Sequence, residues 1–79
     1  MTADKLVRMA NQIGAFFEAM PDRSQAMLDI ATHIQKNWDP RMRAALYAHL
    51  DSGAGGLDPI VLDAVQIHRK ALEPVAASA

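Results

Sequence analysis

Four prolines, at positions 21, 40, 59 and 74, cut this 79-residue chain into pieces none longer than 20 residues. Inside a helix a proline removes a backbone hydrogen bond and clashes with the preceding turn, and it pushes the residue before it out of the α region. At the first helical position the same residue costs nothing, because its missing N–H would be unpaired there anyway. Each proline is therefore a stop or a start. Pro21 and Pro74 read as stops. Pro40 and Pro59 each follow an aspartate, whose carboxylate can accept hydrogen bonds from the first free N–H groups of a helix, so Asp39-Pro40 and Asp58-Pro59 read as starts.

Between these marks the apolar residues recur at helical spacing. From about Thr2 to Met20, Leu6, Met9, Ala10, Ile13, Phe16, Phe17 and Met20 recur at steps of three and four, with Thr2 as a cap and Asp4 suited to the positive helix end. Gly14 interrupts this stripe at a cost of about 1 kcal/mol relative to alanine, which points to close approach by a neighbouring helix. A second segment, capped by Asp22 or Ser24 and running to Asn37, carries Met27, Ile30, Ala31 and Ile34, with Leu28 to one side. A third, from Asp39 to about Leu50, places Met42, Ala45, Leu46, His49 and Leu50 on one face. Asp51-Ser52-Gly53-Ala54-Gly55-Gly56 then reads as a flexible glycine-rich loop. A fourth segment, Asp58 to about Leu72, puts Leu57, Val61, Ala64, Val65, His68 and Leu72 on one face and Ile60 and Ile67 on another. No segment alternates like a strand. The fold expected is all-α, a small bundle of three to four helices with the flexible loop before the last one. A single helical domain spans residues 1–74, and 75–79 form a disordered small-residue tail. The echo of Asp39-Pro40…His49 in Asp58-Pro59…His68 is read as repeated helix-start chemistry rather than a repeat.

Composition narrows the chemistry. The chain has no cysteine, which excludes disulfides, thiolate zinc sites and iron–sulfur ligation by its own residues. A formal net charge of −1 gives no drive toward nucleic acid or anionic lipid. No apolar run reaches the roughly 20 residues that span a bilayer. Asp4, Lys5 and Arg8 break up any signal-peptide core, so a cytoplasmic location is expected. His33, His49 and His68 fall on three different segments without the i, i+4 spacing of a helical zinc motif. Gly53-Ala54-Gly55-Gly56 follows a helix and lacks the lysine and hydroxyl of a phosphate loop. No catalytic, cofactor-binding or metal-binding residue is assigned.

Candidate contact residues are easier to find. Trp38-Asp39-Pro40-Arg41-Met42-Arg43 packs the only tryptophan and two arginines into a forced bend. Arg41 and Arg43 sit near a helix N-terminus, where the macrodipole disfavours cations, so they answer to something outside their own helix. Tryptophan beside arginine and methionine is also the makeup of interface hot spots. Phe16 and Phe17 are adjacent and point about 100° apart on a helix. One of them is free to cover a neighbouring surface, and Phe17 joins the contact candidates.

Leu6-Val7-Arg8-Met9-Ala10-Asn11-Gln12-Ile13, then Phe16-Phe17, His33-Ile34 and Trp38-Asp39-Pro40-Arg41-Met42-Arg43 together resemble the delta subunit of cytoplasmic NAD-dependent formate dehydrogenase, over roughly residues 5 to 72. The resemblance implies a noncatalytic accessory subunit that docks on the catalytic alpha subunit, in a complex with beta and gamma subunits, and supports assembly, stability or activity. From the charge balance and the lack of a spanning run, no nucleic-acid or membrane partner is expected. The complex would use bis-molybdopterin guanine dinucleotide with molybdenum or tungsten, iron–sulfur clusters, FMN and NAD, none of them held by this chain. Alternatives are a dissociable chaperone for molybdenum cofactor insertion and a free-standing helical homodimer.

Overall fold

The computed structural model describes residues 2–72. They form α1 (Ala3–Glu18), α2 (Arg23–Asn37), α3 (Pro40–Asp51) and α4 (Pro59–Ile67), with one further turn, α5 (Arg69–Leu72), after a break at His68. No strand occurs among the described residues, so the all-α expectation holds. Pro74 and the tail at 75–79 lie outside the described residues, as does the side chain of Leu72.

The starts follow from local chemistry. Lys5 N–H donates to Thr2 Oγ1 at 3.3 Å, Gln25 N–H to Asp22 Oδ1 at 3.2 Å, and Met42 N–H to Asp39 Oδ1 at 3.0 Å. Asp22, not Ser24, is thus the cap of α2. Pro40 and Pro59 stand in the first turns of α3 and α4. Asp58 departs from the pattern, because its side chain makes no capping bond. Its backbone N–H donates instead to Asn11 Oδ1 at 2.9 Å, while Asn11 Nδ2 donates to the Gly56 carbonyl at 2.9 Å. One amide on α1 therefore holds both sides of the turn that launches α4.

The glycine-rich loop lies where the sequence puts it. Gly56 has φ +86°, and a Cβ there would come within 3.2 Å of Val7 Cγ1, so glycine suits both the backbone and the space. His49 Nε2 lies 2.7 Å from the Gly55 carbonyl. A carbonyl only accepts, so the Nε2 position carries the hydrogen in this contact.

The core gathers between α1, α2 and α4. Leu6, Ile30, Ile34, Leu46, Val61 and Val65 are fully buried, with Ala10, Ala26, Ala31 and Ala64 filling the narrower gaps. At Gly14 α1 and α4 approach closely: a Cβ added there would overlap Val61 Cγ2. The close approach expected from a mid-helix glycine is present, and α4 is the helix that makes it. Three assignments of faces change. Ile60 is only 4 % exposed and joins the Val61 and Val65 side, whereas Ile67 is 63 % exposed, so α4 has one wide buried face and not two. On α3 the buried pair is Leu46 and Tyr47, while Ala45 is exposed. The break at His68 turns Arg69 back onto α3. There its guanidinium lies 4.8 Å from the Tyr47 ring centre and pairs with Asp51 at 3.0 Å. Asp51 is held below its ordinary carboxylate range chiefly by the hydrogen bond from Arg69; desolvation opposes this, and the charge of Arg69 adds a smaller lowering. A second pair, Arg23 to Asp63 at 2.9 Å, joins α2 to α4. Both pairs are largely exposed and contribute little to stability.

Candidate functional site

The apolar stripe of α1 is wider than its core. Leu6, Ala10 and Gly14, spaced by four, point inward and are buried. Met9, Ile13 and Phe17 are only half-buried, and Phe16 is 76 % exposed. Side chains one step around the helix thus face an open groove of about 550 Å³. Its α1 wall is Met9, Gln12, Ile13, Phe16 and Phe17. Its α2 wall is His33 and Asn37, and Trp38 and Met42 close one end. The rings of Phe16 and Phe17 meet edge to face at 5.0 Å, and Phe17 lies 6.3 Å from His33 in a similar arrangement. Such edge-to-face geometry fixes ring positions while leaving Phe16 uncovered. A smaller hollow lined by Leu6, Asp39, Arg41, Met42 and Ala45 adjoins the groove at Met42.

The residues expected at the bend take different parts. Trp38 is 5 % exposed: it is packed in the chain's own core while also lining the groove. This burial explains why α2 stops where it does. Trp38 N–H still closes the helix on Ile34 O at 2.9 Å, but its φ −95° and ψ 131° turn the chain out. Asp39 and Pro40 are exposed and serve as cap and first helical residue. Arg41 is exposed, Arg43 half-buried, and Met42 half-buried as a wall shared by both hollows. Phe17 packs against the core while lining the groove, so the fully exposed ring of the pair is Phe16. Sequence reasoning missed Met9, Gln12, Ile13, His33 and Asn37 as groove residues. The available signal was the breadth of the α1 stripe, too broad for one packed face.

The three histidines serve separate places. His33 lines the groove, His49 holds the loop, and His68 marks the break before α5. Among the described residues no group of three or more histidines and carboxylates is close enough to hold a metal ion. No helix among them is long and apolar enough to cross a membrane.

Fold and groove together define a class: a small all-α bundle with an open apolar groove between its first two helices. Within that class the chain belongs to the family of NADH-dependent formate dehydrogenase delta subunits, FdsD, whose pattern matches residues 5–65. That span contains every residue of the groove. No curated protein and no solved structure matches the chain significantly.

Proposed function

We propose that this chain is a noncatalytic accessory subunit of a molybdenum- or tungsten-dependent, NAD-linked formate dehydrogenase, docking on the catalytic subunit through the groove between α1 and α2. In this reading the redox chemistry of bis-molybdopterin guanine dinucleotide, iron–sulfur clusters and FMN belongs to the other subunits, in the cytoplasm. The observation that carries it is the uncovered aromatic side of α1 in a chain of this family. Phe16 is 76 % exposed over an apolar groove, although the helix has a complete core face elsewhere. Large apolar groups left open beside a rigid scaffold mark contact sites, and aromatic anchors dominate their energetics.

Two experiments test this. Deleting the chain from its host and measuring formate-dependent NADH formation, metal loading and integrity of the purified complex is expected to lower all three. Full activity in an intact, metal-loaded complex refutes the reading. The second is Phe16→Ala, which removes an exposed ring and so leaves the fold intact. It is expected to weaken co-purification with the catalytic subunit about tenfold or more. Stoichiometric co-elution of this chain with active enzyme separates a resident subunit from a dissociable chaperone.

A further inference from the structure

Charge around the groove is distributed unlike charge on the rest of the molecule. Lys5 lies one turn before Met9 on α1, and Arg8 one turn before Gln12. Lys36 lies one turn after His33 on α2, and Arg41 borders the adjoining hollow beside Met42. These are four of the chain's eight lysines and arginines. All four are exposed, and none makes an ion pair among the described residues. The pairs that do form there use Arg23 and Arg69, on the side of α4 and α5. Among the described acidic residues Asp29 and Asp39 neighbour the groove, and both are engaged within their own helices. Asp29 accepts from Gln25 Nε2 at 2.9 Å, and Asp39 caps α3 at 3.0 Å. Asp4 lies one turn before Arg8 on α1 and makes no ion pair with it among the described residues, and Glu18 ends the helix after Phe17. A chain that is acidic overall thus surrounds its apolar groove with unpaired cations.

We propose that the groove receives an amphipathic helix of the partner subunit whose apolar stripe is flanked by aspartates and glutamates. An apolar trough between two helices takes a third helix through residues spaced at i, i+3, i+4 and i+7, and the rim charges set its orientation and register. Phe16, Phe17, Ile13 and Met9 contact the stripe. Lys5 and Arg8 meet carboxylates along one edge, and Lys36 and Arg41 along the other. Methionines at 9 and 42 suit this role, since unbranched thioethers adapt to an incoming surface. The excess of cations on this rim disfavours a second copy of the same groove as the occupant, because like charges would then face one another. The proposal rests on the docking role given above and names the chemistry of the docked element.

Zero-length carbodiimide coupling of the intact complex, followed by peptide mass spectrometry, tests it directly, because this reagent joins amines only to carboxylates in contact. The expected products link Lys5 and Lys36 to aspartates or glutamates of one amphipathic helix in the partner. The double variant Lys5→Glu/Arg41→Glu is expected to bind about tenfold more weakly at low salt, a deficit that shrinks as salt screens the rim. Lys70→Glu, on the far side, is expected to bind as wild type. Links confined to Lys70, links to a second copy of this chain, or unchanged binding by the double variant overturn the acidic helix. If the complex still co-purifies and depends on Phe16, the docking role survives that failure. If no complex forms with the wild-type chain, the docking role itself fails.

Discussion

Replacing Gly14 by alanine sets two physical effects against each other, and the structure decides which wins. In the middle of α1 alanine is favoured over glycine by about 1 kcal/mol of helix propensity. The added methyl, however, would overlap Val61 Cγ2, with Ile60 Cγ2 at 3.6 Å and Val61 Cβ at 3.8 Å from the same point. Val61 is fully buried, and a β-branched residue on a helix has one strongly preferred χ1, so its methyl cannot swing aside cheaply. Relief requires an off-rotamer Val61 or a wider spacing of α1 and α4, and overpacking of this kind costs about 1–3 kcal/mol. Because the overlap is with a rigid group, the upper part of that range applies. The net effect is a loss of about 1–2 kcal/mol, or a melting temperature lower by roughly 5–15 °C in a domain of this size. Thermal melts followed by circular dichroism at matched concentration measure it. Val61→Ala alone opens a cavity and is itself destabilising, by about 1–3 kcal/mol. In the Gly14→Ala/Val61→Ala double variant the new methyl enters the space that the valine vacates. The pair is therefore less destabilised than the sum of the singles, with a coupling of about 0.5–3 kcal/mol. A Gly14→Ala variant that melts higher than wild type, or strict additivity in the cycle, refutes the close packing of α1 on α4.

Three further outcomes follow from the same geometry. Trp38→Ala removes a buried ring, is expected to cost about 3–5 kcal/mol, and leaves the isolated chain largely unfolded by circular dichroism, so its failure to bind reports lost folding where Phe16→Ala reports lost contact. Asn11→Ala deletes both bonds to the turn before α4 and is expected to cost about 1–2 kcal/mol in a denaturant titration, with faster amide exchange at Asp58 as the local signature. For Asp51 the carboxyl is lowered from its ordinary value of 3.8 by Arg69, so its contribution is complete above that value and is lost as pH falls through the lower folded value. The melting difference between Asp51→Asn and wild type is therefore expected to be small and constant near neutral pH and to vanish in acid. A difference that grows on acidification contradicts the pairing.

Much of the fold was legible because its signals are local. Thr2, Asp22 and Asp39 cap helices with their own side chains, and the prolines enforce their boundaries wherever the helices go. The echo between Asp39-Pro40 and Asp58-Pro59 shows where local reading ends. The two pairs are alike in sequence, yet the Asp58 side chain makes no capping bond, and its backbone N–H is held by Asn11, 47 positions away. Tyr47 was not assigned to the core because its stripe on α3 is short, and its burial depends on Arg69 folding back from beyond α4. Ile60 and Ile67 look equivalent on a helical wheel, but Ile60 is buried beside Gly14 of α1 and Ile67 is exposed.

The sequence by itself determined the helix starts, the stops of the first three helices, the place of the bend at Trp38 and the membership of a family, since capping, proline geometry and residue identity need no distant partner; the break at His68 was not legible in it. The tertiary structure decided what each apolar side chain is for. Periodicity states which residues share a face but not how much of that face a neighbour covers. Packing of α1 against α2 and α4 used Leu6, Ala10 and Gly14 and left Met9, Ile13, Phe16 and Phe17 along an open groove. The same packing drew Trp38 into the core and left Phe16 as the exposed aromatic. The candidate for contact thereby moved from the bend alone to the groove that the bend closes.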